Sequence, residues 1–449
     1  MASVALMLLL AAPADLDAAE KALADGRARE ALELLGDLAD RDDADVRAWI
    51  VQGRAYLALQ GYTAAVEPLL RASDARPDDR ALARDAAWAC WGSAQGAYAR
   101  AYLEDAIRMA VRSGDLLLLA DLHVDAGNLA EAVDAYGKAE VPESETLRVR
   151  MRVAECLRAL GRDGATEAFA EALEEALRRG DLASAYKAAF AAERAGRFMA
   201  WLDEKLAATP DDLDLRLYRA YARAASLLYA EAAADLRVVL GKRPDFLAAK
   251  DQLSAVLIAE GQRRQKADLV DEGERIGREV LEAEPTNQSA WQRMSWLAGT
   301  YWTDGRVQRS YDLLKFLHGL DPEDVNTGLN FGAMARRLGH YEEARTAYEG
   351  LLEGAPGDPD VLNDLAILVD GMGERARAVE LWEMVLSEDP YNLNALENLY
   401  THAWERGDAV ALETLLARGL DAATRRDGPV ARWHWFRDRL LWAPSGFGG

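Results

Sequence analysis

Two stretches of the sequence repeat one pattern at a spacing of 34 residues. Residues 339–356 read GHYEEARTAYEGLLEGAP, and residues 373–390 read GERARAVELWEMVLSEDP. Both stretches place glycine, alanine, an aromatic residue and proline at the same relative positions. A fixed internal period predicts a row of similar packing units, because one such unit cannot bury its apolar face alone.

Each repeated position has a physical role in a pair of helices. Glycine suits the turn between two helices, since a residue without Cβ relieves the backbone there. Alanine lets the second helix approach the first, and the aromatic residue four positions later fills the layer between repeats. Proline ends the second helix. These positions are Gly339, Gly373, Ala344, Ala378, Tyr348, Trp382, Pro356 and Pro390.

This pattern resembles the tetratricopeptide (TPR) family. The fullest set of family positions is Trp49, Gly53, Tyr56, Ala65, Leu69, Ala72 and Pro77. The resemblance implies an all-α fold, a TPR α-solenoid in which helix-turn-helix repeats form a right-handed superhelix. We expect about twelve repeats over residues 15–426. They begin near residues 12, 46, 80, 113, 147, 180, 213, 247, 291, 325, 359 and 393.

One unit is longer than the others. Pro244 and Pro285 are 41 residues apart, whereas the spacing is 34 from Pro210 to Pro244 and between successive members of Pro322, Pro356 and Pro390. We expect the surplus to lie in the turn or in extended helix ends of the unit that begins at residue 247.

The C-terminal end departs from the period. Residues 427–443 predict an amphipathic helix with Trp433, Phe436 and Leu440 on one face. A terminal repeat needs its apolar face covered, so we expect a capping helix; a docking helix for a partner is the alternative. Residues 444–449 predict a flexible tail.

The N-terminal end also departs from the period. Residues 1–14 contain an apolar run, too short to span a bilayer, followed by Ala12, Pro13 and Ala14. This pattern fits a secretory signal peptide cleaved after Ala14, or the apolar start of a helix. The first interpretation predicts a periplasmic or secreted protein, and the second leaves a cytoplasmic one.

Charge restricts the classes of partner. The chain has 53 Lys and Arg against 76 Asp and Glu, a net charge of −23. The electrostatic field of a chain with this negative charge repels phosphate backbones and anionic membrane surfaces. We therefore expect no nucleic-acid partner and no membrane insertion of the mature chain, whereas a basic or mixed-charge polypeptide would be attracted.

The sequence contains no recognisable catalytic or metal-binding pattern. The five histidines follow no His-Glu-x-x-His spacing, and no Gly-rich phosphate loop or Gly-x-Ser-x-Gly elbow is present. Cys90 and Cys156 fall in repeats that are not adjacent, which predicts two buried thiols and no disulfide. We expect no enzymatic activity, no cofactor and no metal.

The TPR resemblance implies that first helices line a concave surface where a ligand binds. Position 6 of three successive units holds Asn330, Asp364 and Asn398, 34 residues apart. A column of amides can pair with the backbone of an extended peptide, since each amide offers a donor and an acceptor. Bonding between helices is the alternative. The flanking residues are Asn326, Asn363 and Asn394.

Tryptophans and arginines extend this candidate surface. Trp296, Trp302 and Trp404 fall at inward-facing positions, and exposed tryptophans in a groove are typical of binding hot spots. Arg336 and Arg337 can pair with carboxylates. The alternative is that neighbouring layers cover the rings. A weaker candidate cluster comprises Trp88, Trp91, Tyr218 and Tyr221.

The resemblance thus implies a non-enzymatic scaffold or adaptor that binds one or more proteins or extended peptides. The apolar leader alone favours a cell-envelope or secretion assembly over a cytoplasmic one. Two alternatives stay open. One is a non-catalytic subunit of glycan synthesis or export machinery, whose tryptophans would stack on sugars. The other is a purely structural spacer, for which substitutions in the groove would have no effect.

Overall fold

The structure is a computed structural model that describes residues 15–41, 44–95, 99–426 and 428–441. Within these residues all regular secondary structure is helical, with 25 α-helices and short 3₁₀ turns at Leu38–Asp40 and Glu143–Glu145. The all-α prediction is confirmed. The predicted leader (1–14) and tail (444–449) lie outside the described residues.

The helices follow one another with short connections. Their bounds are α1 Leu16–Ala24, α2 Ala28–Leu35, α3 Val46–Ala58, α4 Tyr62–Ala75, α5 Arg80–Gly92, α6 Ala99–Ser113, α7 Leu116–Asp125, α8 Leu129–Lys138, α9 Thr146–Ala159, α10 Ala165–Arg179, α11 Leu182–Ala191, α12 Ala195–Ala208, α13 Leu213–Ala225, α14 Tyr229–Lys242, α15 Leu247–Arg264, α16 Ala267–Ala283, α17 Gln288–Thr303, α18 Val307–Leu320, α19 Val325–Leu338, α20 Tyr341–Gly354, α21 Pro359–Gly371, α22 Arg375–Glu388, α23 Leu393–Arg406, α24 Ala409–Arg425 and α25 Val430–Leu441.

The chain divides into two compact units, Met1–Ser226 and Leu227–Gly449. In its described residues the first unit holds six helix pairs, α1 to α12, followed by α13. The second unit holds α14, the five pairs from α15 to α24, and α25. Each unit is a solenoid in which successive helices pack on one another, as the TPR resemblance implies.

The repeated residues pack as expected. Gly339 and Gly373 adopt φ of +83° and +90° in the turns after α19 and α21, where a side chain would be strained. Ala344 and Tyr348 are fully buried. A Cβ added to Gly332 would lie 2.4 Å from the Tyr348 ring, so a glycine in the first helix makes room for the aromatic side chain. The packing is that of TPR repeats.

The long unit takes up its extra residues in its helices. α15 has 18 residues and α16 has 17, with only Gln265 and Lys266 between them. The two helices approach closely at Gly273, where an added Cβ would lie 2.9 Å from the carbonyl oxygen of Ser254. The Ser254 hydroxyl donates to the Gly273 carbonyl oxygen at 2.7 Å. Of the two expected arrangements, extended helix ends are therefore the one observed.

The last helix covers the final pair. Trp433 of α25 is 1% exposed and packs against Gly419 of α24, where an added Cβ would lie 2.2 Å from the indole ring. The Tyr400 hydroxyl of α23 donates to the carbonyl oxygen of Phe436 at 3.1 Å. α25 therefore caps the second unit, and Trp433 and Phe436 are committed to that contact.

Candidate binding surface on the first helices

The eleven residues predicted to bind a partner lie on four first helices of the second unit, α17, α19, α21 and α23. Each of these helices begins after a polar cap whose side chain accepts a hydrogen bond from the backbone three residues later. The caps are Asn287, Asp324, Asp358 and Asn392. The last three caps are 34 residues apart. Residues 34 apart on α19, α21 and α23 therefore occupy equivalent positions on their helices.

The amide column is partly engaged within the protein. Asn398 Nδ2 donates to Asn363 Oδ1 at 3.0 Å, which joins α23 to α21. Asn363 is 9% exposed, so it holds two helices together and does not face solvent. Asn330 Nδ2 donates to the carbonyl oxygen of Asn326 at 2.8 Å, within α19. Asn326, Asn330 and Asn394 are exposed.

Asp364 follows Asn363 on α21 and is partly buried. Burial raises the pKa of its carboxyl group, and the charge of Arg336 opposes this shift. The hydroxyl of Tyr348 has no hydrogen-bond partner among the described residues, and burial followed by the charge of Asp364 raises its pKa. A partner that donates a hydrogen bond to Asp364 would offset part of its desolvation.

The three tryptophans differ in how open they are. Trp296 is 53% exposed and Trp302 is 39% exposed. The guanidinium of Arg337 lies over the Trp302 ring, 4.6 Å from its centroid. Trp404 is half-buried and stacks on Tyr400 with ring centroids 6.5 Å apart. Of the three rings, Trp296 is therefore the most open to a ligand.

The weaker candidate cluster in the first unit separates into two groups on different helices. Trp88 and Trp91 of α5 have centroids 4.9 Å apart. Tyr218 and Tyr221 of α13 have centroids 5.7 Å apart and both contact Tyr186 of α11. Sequence reasoning missed Tyr186, although it falls on the first helix of a repeat, because no proline of the pattern separates the repeat that begins near residue 180 from the one before it.

Sequence reasoning also missed a groove between α9 and α11. It has a volume of about 820 Å³, and its charged lining includes Arg148, Arg152 and Lys187. Arg148 pairs with Asp121 at 2.7 Å, and Lys187 pairs with Glu155 at 2.5 Å. Most of its positive charge is therefore neutralised within the protein.

Neither metal nor thiol chemistry is evident at these surfaces. In the described part of the chain no group of three or more His, Cys, Asp or Glu side chains is arranged to hold a metal ion. Cys90 and Cys156 are free and buried, as expected, and burial raises the pKa of Cys90 to about 12. Across the described helices, none combines the length and apolarity needed to cross a membrane.

Comparison with known proteins finds similarity among solved structures alone. No protein-family model and no curated protein matches the sequence. MamA from Desulfovibrio magneticus RS-1 aligns with 40% of this chain and 98% of its own, at 17% identity and a TM-score of 0.32. YrrB, described as a TPR protein with an unusual peptide-binding site, aligns with 44% of this chain and 96% of its own, at 15% identity and a TM-score of 0.31.

A third similar structure is the TPR domain of P58(IPK). It aligns with 84% of this chain and 98% of its own, at 16% identity and a TM-score of 0.23. Similarity at these sequence identities and TM-scores gives no information about function. The helix pairs of the chain itself, with their 34-residue spacing, glycine turns and buried alanine and aromatic positions, give it a TPR-type helical-repeat fold.

Proposed function

We propose that this protein is a non-enzymatic scaffold that binds a polypeptide along the first helices α17, α19, α21 and α23. The observation that carries the proposal is the exposure of Trp296 and Trp302 beside Arg337 on this surface. Large aromatic rings with a neighbouring guanidinium are the side chains that most often dominate the energy of protein interfaces.

The polar groups of the same surface support a polypeptide ligand. Three amide side chains of this surface are exposed, Asn326 and Asn330 on α19 and Asn394 on α23. Asn326 and Asn394 occupy equivalent positions of their helices. Each amide can still accept or donate a bond to a peptide backbone, which presents both groups at regular intervals. Arg336 and Arg337 form no ion pair with any described residue, so both can pair with a carboxylate.

The net charge of −23 favours a basic or mixed-charge partner during encounter, since long-range attraction raises the association rate. The exposed arginines would then fix local pairs once the partner is seated. We expect affinity to fall with added salt, mainly through a slower association.

The test is an affinity purification after crosslinking in the native cell. A triple variant, Asn330→Ala, Asn398→Ala and Trp302→Ala, is compared with the wild type. Val111→Ala is the control, since Val111 is 60% exposed on α6 of the first unit and belongs to neither candidate cluster. Circular dichroism establishes that each variant folds. Loss of one partner from the triple variant alone supports the proposal, and identical partners from all three proteins contradict it.

A subunit of glycan synthesis or export machinery is the second candidate function. Its supporting observation is the open ring of Trp296, which is 53% exposed and suits stacking on a sugar. Arg337 occupies one face of Trp302, and Trp404 packs on Tyr400, so a row of three free rings is not formed. Glycan binding would be lost with Trp296→Ala and retained with Asn330→Ala, whereas peptide binding would depend on both residues.

We further propose that the protein is exported and acts in a cell-envelope or secretion assembly. Support comes from the sequence of residues 1–14 alone. The mass and N-terminal sequence of the protein purified from its native cell test this. A mature chain that begins at Asp15 agrees with export, and a chain that retains Met1 or Ala2 contradicts it.

A further inference from the structure

A second surface is an open cavity between α22, α23 and α24. Its volume is about 560 Å³, which lies in the range of ligand pockets. Val379, Leu386, Leu399 and Leu415 supply apolar walls. We call it the terminal groove.

The two preceding repeats close the equivalent position with a side-chain contact. Between α18 and α20, Tyr311 stacks on His340 with ring centroids 5.0 Å apart. In the next repeat, 34 residues on, Arg345 pairs with Glu374 and contacts the sulfur of Met372 at 3.4 Å. Both contacts have the same form. Tyr311 of α18 meets the residue just before α20, and Arg345 of α20 meets the residue just before α22.

The terminal groove lacks this closing contact. The residues at the equivalent positions, a further 34 along the chain, are Val379 and Asp408. A valine cannot pair with a carboxylate, and Asp408 instead caps α24 by accepting from the Ala411 backbone at 3.1 Å. Both Val379 and Asp408 line the cavity, which is therefore the gap that the repeat contact fills elsewhere.

The lining of the terminal groove is also more polar than the equivalent positions of the two preceding repeats. His402 takes the position of Met334 and Leu368, which are buried apolar residues of the preceding repeats. His402 is 8% exposed, and its Nε2 has no hydrogen-bond partner among the described residues. A buried polar atom without a partner is costly, so an incoming group that contacts His402 would gain by satisfying it.

Two cations without carboxylate partners lie at the rim. Arg406 and Arg418 line the groove and form no ion pair with any residue that the structure describes. Arg406 replaces Leu338 and Met372 of the preceding repeats. The other charged groups that line the groove are Glu383 and the capping Asp408. Unpaired guanidinium groups beside an apolar cavity complement an apolar group flanked by carboxylates.

Apolar surface continues beyond the cavity. Val410 is 78% exposed, and the Thr414 hydroxyl, one turn later on α24, donates to its carbonyl oxygen at 3.0 Å. Thr414 lines the groove, so Val410 lies on the same side of α24. A ligand that covers both the cavity and Val410 must be extended, as a polypeptide segment is.

We propose that the terminal groove binds a segment of a mixed-charge polypeptide in which an apolar side chain is flanked by carboxylates, since the net charge of −23 disfavours a partner that is acidic throughout. The segment inserts an apolar side chain beside Val379, its backbone forms a hydrogen bond with His402, and its flanking carboxylates pair with Arg406 and Arg418. The terminal groove shares none of its lining residues with the scaffold surface, so its binding can be tested separately. One molecule of this protein thus has separate sites for two polypeptide segments.

The test uses labelled ten-residue peptides with a central Leu-Leu pair flanked by glutamates, and fluorescence anisotropy with the full chain. Matched peptides replace every glutamate by lysine, or both leucines by serine. Val379→Arg restores the closing side chain opposite Asp408, as Arg345 faces Glu374. Arg406→Gln with Arg418→Gln removes the rim charges. Arg425→Gln, which removes a charge that pairs with Asp421 elsewhere on α24, is the matched control.

We expect the glutamate-leucine peptide to bind, with at least tenfold weaker binding to Val379→Arg and to the double arginine variant, and unchanged binding to Arg425→Gln. The lysine and serine peptides should not bind. Because the double variant changes exposed residues alone, it remains informative if Val379→Arg does not fold.

Three results would overturn the proposal. The first is absence of binding by the glutamate-leucine peptide, or equal binding to the wild type and to both groove variants. The second is displacement of the peptide by octanoate at equal concentration, which would assign the groove to a small organic carboxylate. The third is a wild-type dimer in light scattering that Val379→Arg converts to monomer, which would make a second copy of the chain the occupant.

Discussion

The guanidinium of Arg337 lies over the indole ring of Trp302, 4.6 Å from its centroid, and joins two successive first helices of the second unit. The contact covers one face of a ring that is still 39% exposed. Arg337 thereby holds Trp302 in one orientation while both side chains remain open to solvent. A pre-oriented aromatic ring loses less conformational entropy when a partner binds.

A double-mutant cycle tests this relationship. Trp302→Ala and Arg337→Gln should each lower the free energy of unfolding slightly, and the coupling energy between them should be about 0.5–1 kcal/mol, as for exposed cation–π pairs. Urea titration of the four proteins measures it. A coupling near zero would show that the guanidinium does not hold the ring.

Gly332 should not tolerate a side chain. An added Cβ would lie 2.4 Å from the buried ring of Tyr348, so Gly332→Ala should cost about 1–3 kcal/mol through overpacking. Gly350 of α20 is the matched control because an added Cβ there meets nothing within 4 Å. Gly350→Ala should be stabilising by up to about 1 kcal/mol, since alanine favours helix. Equal urea midpoints for the two variants would contradict the observed packing.

Trp433→Ala should loosen the last helix pair without affecting distant repeats. Loss of a buried aromatic side chain costs about 3–5 kcal/mol. Because each repeat contacts its neighbours, the loss should appear as faster amide hydrogen exchange in α23 and α24 with little change in α17. Uniformly faster exchange across the second unit would instead indicate one cooperative block.

Asp364 should make stability depend on pH. Burial raises the pKa of its carboxyl group above the ordinary value of 3.8, so the folded state binds a proton more tightly than the unfolded state. Its contribution to stability is therefore present below pH 3.8 and declines as the pH rises through the folded pKa. Asp364→Asn should be more stable than the wild type at pH 7, with a smaller difference near pH 4.

Chemical unfolding at the two pH values measures this difference. If Asp364→Asn is less stable than the wild type at pH 7, attraction to Arg336 outweighs the cost of burying the carboxylate. The sign of the pKa shift would then be reversed.

The period in the sequence predicts much of the fold because each repeated residue has a local role. Gly339 in a turn, Ala344 at a close contact and Tyr348 in a layer follow from residue size and backbone freedom. The partner of a polar side chain is harder to predict. Asn363 and Asn398 bond to each other because their rotamers meet across two helices, and neither residue alone indicates that.

The sequence itself indicates the terminal groove, but only a reader who knows which repeat positions contact each other can recognise it. Tyr311, Arg345 and Val379 occupy one repeat position, and His340, Glu374 and Asp408 occupy another. Only the observed stacking of Tyr311 on His340 and the pairing of Arg345 with Glu374 show that the two positions meet. The loss of that pairing at Val379 and Asp408 can then be read from the sequence.

The most direct measurement is photo-crosslinking in the native cell with a crosslinking amino acid placed at Trp296 in one protein and at Val111 in another. Both positions are exposed, at 53% and 60%, but only Trp296 lies on the proposed surface. A scaffold that binds along α17, α19, α21 and α23 predicts one polypeptide crosslinked from Trp296 and absent from Val111. The same polypeptide from both positions, or none from Trp296, would contradict it.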